Sequence, residues 1–299
     1  MKLPLKGIIP PLVTPLIDDS TIDEEGLKKL IEHIISGGVH GVFLLGTTGE
    51  APNLSYKLRK EFIEKACAFI NKRIPVLVGI TDTCMACSLE IAESARKNGA
   101  DAVVVASPYY LPIDENEFIK YLEDLIPELP LPFLLYNMPS CTKLHMSVET
   151  VKRAKDLGAI GIKDSSGNMD YFKSLIEELK DSPEFSIIIG TEVFLPETIM
   201  NGGHGGVVGG ANFFPRLFVD LYEASLARDM EKIDELREKV IMIGKTIYDV
   251  VSTSSRHIKT TKTALSALGI CNDYVAHPFR KSNESESIQI KQNMKAFKL

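Results

Sequence analysis

Tryptophan is absent from the 299-residue chain, and cysteine is scarce, with five residues at irregular spacing. An odd, scattered set makes no disulfide framework, so a reducing compartment, the cytoplasm, is expected. No apolar run approaches the ~20 residues that a transmembrane helix needs, so no membrane partner is expected. The opening Met1-Lys2-Leu3-Pro4-Leu5-Lys6 lacks the apolar stretch and small-residue cleavage site of a secretory leader. Positive charge is not in excess: 34 Lys+Arg stand against 40 Asp+Glu, a net charge of −6. With no basic stripe carrying interleaved aromatics, a nucleic-acid partner is excluded. The six histidines form no i, i+4 pair, and Cys84-Met85-Ala86-Cys87 has no second Cys/His pair at zinc spacing. A metal site is therefore not expected.

What is present is an ordinary globular composition, 44% hydrophobic and 25% charged, in a chain long enough to bury a large core. Eight short apolar runs recur at 7–13, 39–45, 75–80, 101–106, 132–136, 159–163, 185–190 and 205–209. They are too uniformly apolar for half-exposed strands and match strands buried on both faces of a parallel sheet. Helical periodicity separates them. Leu27, Leu30, Ile31, Ile34 and Ile35 share one face, with Thr21-x-x-Glu24 as a capping box and Gly37-Gly38 as the stop. Further helices are expected at 55–71, 83–98, 115–128, 147–156, 168–180, 194–201 and 215–228. This alternation predicts a (β/α)8 TIM barrel over residues 1–228. An open doubly wound sheet is the alternative, although no Gly-x-Gly-x-x-Gly follows the first strand. Residues 229–299 read as a C-terminal helical extension, with helices at 231–251, 255–268 and 287–297 and a polar loop before the last.

In such a barrel the active site forms at the carboxyl ends of the strands. There the sixth run, Ala159-Ile160-Gly161-Ile162, leads straight into Lys163. Burial disfavours an ammonium, so a lysine at this mouth can serve as an amine nucleophile towards a carbonyl. A lysine ion-paired to Asp164 is the plainer alternative. Gly46-Thr47-Thr48-Gly49-Glu50 suits a small carboxylate through backbone N–H groups and two hydroxyls, or is simply a tight strand-to-helix turn. Tyr136 could carry protons, assisted by Tyr109 and Tyr110, or could pack at the mouth. The six glycines between Gly202 and Gly210 allow backbone to approach a ligand. Cys67 and Cys271 read as packing residues. His40 and His204 fall at strand starts, the stability end of a barrel.

Four segments in order, Gly46-Thr47-Thr48-Gly49-Glu50, Pro108-Tyr109-Tyr110, Tyr136-Asn137-Met138-Pro139-Ser140 and Gly161-Ile162-Lys163-Asp164, resemble the dihydrodipicolinate synthase / N-acetylneuraminate lyase family. The resemblance covers nearly the whole chain. It implies a class I, pyruvate-type aldolase or lyase, with a covalent imine on Lys163 and no separate cofactor. It implies that Thr47 and Thr48 hold the substrate carboxylate and that Tyr136 shuttles protons. Tyr110 matches a tyrosine that enters a neighbouring subunit's site and joins Thr47 and Tyr136 in a relay, which implies a homo-oligomer, dimer or tetramer. Gly190 and Val207 match positions whose carbonyls line the pyruvate pocket, and the C-terminal helices are expected to serve subunit packing. Family synthases carry an arginine where this chain has Cys141, and a thiol cannot replace a guanidinium in binding a carboxylate. With Ser165, Thr191 and Glu192 placed to meet a polyhydroxylated chain, a 2-keto acid aldolase acting on a 2-keto-3-deoxy sugar acid is favoured. The lysine-pathway synthase, a dehydratase and a non-catalytic ligand-binding member are the alternatives.

Overall fold

The computed structural model describes residues 1–297. Eight short parallel strands form one sheet: β1 (Gly7–Ile8), β2 (Val42–Leu44), β3 (Val76–Gly79), β4 (Ala102–Val105), β5 (Phe133–Asn137), β6 (Gly161–Asp164), β7 (Ser186–Ile189) and β8 (Gly205–Gly206). β1 pairs with β8 in register Gly7↔Gly205. Past β1 the chain also reaches β2: Phe43 N–H donates to the Pro10 carbonyl (3.0 Å) and Leu12 N–H to the Phe43 carbonyl (2.9 Å). The sheet is thus a closed ring, which removes the open doubly wound alternative. Closure depends on one residue type. A Cβ on Gly205 would lie 2.1 Å from the Gly7 carbonyl oxygen, so only glycine lets β1 and β8 meet.

Helices alternate with the strands: α1 (Glu24–Ser36), α2 (Tyr56–Ile70), α3 (Met85–Lys97), α4 (Glu115–Leu125), α5 (Val148–Asp156), α6 (Met169–Glu178), α7 (Leu195–Met200) and α8 (Pro215–Ala227). The result is the (β/α)8 barrel read from the alternation. Burial splits into two shells, as strands covered on both faces require. Ile9, Phe43, Leu77, Val104, Leu134 and Ile188 fill the barrel interior. A larger core lies between strands and helices and takes in the inward face of α1, Leu27, Leu30, Ile31 and Ile34.

At the amino ends of the strands, His40 Nδ1 accepts the Ile8 N–H (3.1 Å) and His204 Nδ1 accepts the Ile187 N–H (3.0 Å). Burial holds both imidazoles below their ordinary value. These histidines satisfy backbone at the stability end of the barrel, as expected. Cys67 and Cys271 are buried.

The start of α1 corrects the capping-box reading. Thr21 belongs to a small antiparallel hairpin, Leu16–Asp18 with Thr21–Ile22. The cap is Asp23, whose side chain accepts the Gly26 N–H (2.9 Å). Gly37 and left-handed Gly38 end the helix as read. The first run is also shorter than expected, because Pro10 and Pro11 lack the N–H that a ladder needs. Three further helices follow, α9 (Met230–Thr246), α10 (Arg256–Ala267) and α11 (Glu284–Ala296). The last begins inside the stretch read as a polar loop, since Asn283 and Glu286 form a reciprocal capping box. These helices do not stand apart: Leu236, Val240, Ile243 and Leu265 belong to the same outer core as the barrel helices.

Candidate active site

Alternation along β6 separates the two charged residues at its end. Asp164 turns outward, accepting Asn137 Nδ2–H (2.8 Å) and the Ser166 hydroxyl (2.9 Å). Burial raises its pKa although these bonds oppose the rise. Lys163 turns into the barrel mouth, 6% exposed, opposite Tyr136 in the ladder. Its Nζ lies 4.0 Å from the Tyr136 ring centroid and 5.1 Å from that of Phe43. Among the described residues, the ion pairs buried on both sides are Arg59–Asp82 and Glu50–Lys262, and neither involves Lys163. The ion-paired alternative for Lys163 is therefore set aside. The amine stands against aromatic faces, with no carboxylate holding it.

The turn after β2 brings hydroxyls to the same place. Thr47 Oγ1 and the Tyr136 hydroxyl lie 3.2 Å apart in a hydrogen bond. Glu50 N–H donates to the Thr47 carbonyl (3.0 Å), and Glu50 itself takes a left-handed φ of 60°. The Glu50 side chain then leaves the mouth for the C-terminal region. It is fully buried, pairs with Lys262 on α10 and accepts the Ala276 N–H (2.8 Å). Lys262 also donates to the Tyr274 carbonyl (2.8 Å). Burial raises the Glu50 pKa and lowers that of Lys262, each opposed by the partner's charge.

A cavity of about 640 Å³ opens above Lys163. Thr47, Thr48, Tyr136 and Cys141 border it on one side, and Ser165, Gly190, Thr191, Glu192 and Val207 on another. Cys141 lies on a short helical turn, Pro139–Thr142, that the sequence did not announce. Gly190 leaves room for Ser165, whose Oγ would be 2.0 Å from any Cβ placed there. Glu192 Oε2 accepts the Gly210 N–H (2.9 Å). Burial raises the pKa of this carboxyl. The glycine-rich stretch is thus fastened by Glu192.

Tyr110 is not among the residues bordering this cavity. It is 79% exposed, sits at a left-handed φ of 79°, and borders a second cavity with Tyr109, Tyr56, Arg59 and Asp82. Cys84 is exposed, and no group of metal-ligating side chains occurs among the described residues. No helix among them is long and apolar enough to cross a membrane. Reading strand ends alone missed one side of the Lys163 cavity. Tyr248, Asp249, Ser254, Arg256, His257 and Thr261, from the end of α9 through α10, form it. The hydroxyl-rich Ser252-Thr253-Ser254-Ser255 before Arg256-His257 is the signal that could have pointed there.

Known proteins resemble this chain along nearly its whole length. The dihydrodipicolinate synthetase family pattern matches residues 4–297. A dihydrodipicolinate synthase structure from Bacteroides thetaiotaomicron is 50% identical, with a TM-score of 0.96 over 99% of this chain and 100% of that one. A putative 2-dehydro-3-deoxy-D-gluconate aldolase of Escherichia coli, YagE, is 30% identical over 98% of this chain and 97% of its own. The crystal structure of YagE in complex with pyruvate superposes with a TM-score of 0.92 over 99% of each chain. A 4-hydroxy-tetrahydrodipicolinate synthase of Neisseria gonorrhoeae is also 30% identical, over 98% of both chains. The chain belongs to the dihydrodipicolinate synthetase family, and it is a lyase of that family.

Proposed function

We propose that the protein is a Schiff-base lyase that cleaves or forms the bond between pyruvate and an aldehyde. Its favoured substrate is a 2-keto-3-deoxy sugar acid. The observation that carries this is the buried, unpaired amine of Lys163 beside the Tyr136–Thr47 hydrogen bond. In the cleavage direction, Lys163 adds to the C2 carbonyl and water leaves, giving a protonated imine. Loss of the C4 hydroxyl proton breaks the C3–C4 bond, whose electron pair moves into the imine to leave an enamine. The aldehyde departs, C3 takes up a proton, and water returns pyruvate and free Lys163. The imine is the electron sink, so no separate cofactor enters. Tyr136, bonded to Thr47, is the group placed to move these protons, and Thr47 with Thr48 would hold the carboxylate.

The pyruvate complex of YagE supports pyruvate as the small-molecule partner. The synthase reading has the Bacteroides structure in its favour. Against it stands Cys141, which borders the cavity where a guanidinium would grip the semialdehyde. Exposed Tyr110 is free to reach a second copy of the chain, in keeping with a dimer or tetramer in the cytoplasm. The test is a substrate screen that follows pyruvate. Release from 2-keto-3-deoxy sugar acids supports the aldolase, whereas turnover confined to pyruvate plus aspartate semialdehyde would favour the synthase.

A further inference from the structure

One side of the cavity is built by the end of α9, the segment after it and the start of α10. Asp249 Oδ1 and Arg256 Nη1 pair at 3.2 Å, and both side chains remain partly exposed. His257 packs edge-on to Tyr248, with ring centroids 4.6 Å apart. The ring nitrogens of His257 can serve a ligand as hydrogen-bond donor or acceptor. The wall is anchored, because Tyr248 is buried and also packs edge-on to Phe213, with ring centroids 6.2 Å apart. Besides Lys163, Arg256 is the one cationic side chain bordering this cavity among the described residues.

Two ligand chemistries could meet an arginine here, and Asp249 decides between them. A carboxylate would have to take the guanidinium from Asp249 and would then sit beside a second anion. A vicinal diol suits the pair as it stands. One hydroxyl can donate to Asp249 while its neighbour accepts from Arg256, and His257 can serve either role. We propose that Asp249, Arg256 and His257 form the specificity wall for the distal end of the substrate. That end is a neutral polyol and not a carboxylate. The C-terminal helices thereby select the aldehyde half while Lys163, Thr47 and Tyr136 handle the keto-acid half. This rests on the lyase reading above and names its substrate class.

The test uses the full chain carrying Arg256→Ala or Asp249→Asn. Its substrates are 2-keto-3-deoxygluconate, with a neutral polyol end, and aspartate semialdehyde plus pyruvate, with a carboxylate end. We expect each variant to raise the KM for the sugar acid on the order of tenfold. Borohydride trapping of pyruvate on Lys163 should continue in both. Asp249→Asn should raise turnover of the semialdehyde from its low starting level, because the guanidinium is then released to a carboxylate. An unmoved sugar-acid KM in both variants would overturn the proposal, as would a wild-type chain that prefers the semialdehyde. Calorimetric titration of 2-keto-3-deoxygluconate into Lys163→Ala, with and without the Arg256→Ala change, separates the two claims. Tight binding lost on Arg256→Ala supports the wall even if no imine forms. Binding indifferent to Arg256 overturns it even if the imine does form.

Discussion

The side chain of Lys163 gains its character from where β6 ends. One position further along the strand, Asp164 points to the opposite face and is consumed by Asn137 and Ser166. The apolar run before Lys163 made its position legible, since a run buried on both faces must deliver its next side chain to the mouth or to the outer shell. Choosing between those faces required the pleat register against Tyr136. Thr47 and Tyr136 lie far apart in the chain, so their hydrogen bond was legible only through the family resemblance. Arg256 and Asp249 had only the neighbouring hydroxyl-rich Ser252–Ser255 stretch to point to them. They come from the start of α10 and the segment that leads into it, which no strand-end rule covers, and their role depends on how that segment folds back over the mouth. If Tyr136 carries the protons, Tyr136→Phe should lower kcat by about 10² to 10⁴-fold. Pyruvate affinity should fall less, because Thr47 and Thr48 remain. Steady-state kinetics beside pyruvate binding would check this, and a loss confined to binding would deny Tyr136 its proton role.

Among the elements, the turn after β2 and helix α10 are joined by the Glu50–Lys262 pair, buried without water access on either side. Removing one partner leaves an uncompensated charge, so Lys262→Met should cost about 3–5 kcal/mol in denaturant unfolding. The double variant Glu50→Gln/Lys262→Met should recover much of that loss. Equal losses in both would mean that the pair is not coupled. The histidines at the other end of the strands give a pH effect of definite sign. His40 and His204 sit below the ordinary imidazole value because they are buried. Each also accepts a backbone N–H through Nδ1, a role that protonation ends. The unfolded chain therefore takes up these protons first. Their contribution is complete above about pH 6.5 and is lost as pH falls towards the lower folded values. Denaturation midpoints between pH 7 and 5 should fall, and a flat profile would contradict the assignment. Strand and helix order was legible in the alternating runs. The hairpin at Leu16–Ile22 was not, because its exposed turn residues imitate a helix cap. Nor was the early start of α11, where polar capping residues imitate a loop.

At the scale of the whole molecule, the proposed function asks an acidic chain to hold an anionic keto acid, and the net charge of −6 makes the local arrangement decisive. The cavity meets that need with few charges: one amine below, one guanidinium balanced by Asp249 at the side, and hydroxyls between. The C-terminal helices are part of this device and not surplus length. They share the outer core, wall the cavity through Arg256, and secure the threonine turn through Lys262. A barrel alone would leave the site open on that side. All of it depends on Lys163 forming an imine. The direct measurement is borohydride reduction of the full chain with pyruvate, followed by peptide mass spectrometry. The account predicts one carboxyethyl group, carried by Lys163 and missing in Lys163→Ala. An unmodified Lys163, or an adduct on another lysine that persists in that variant, would contradict it.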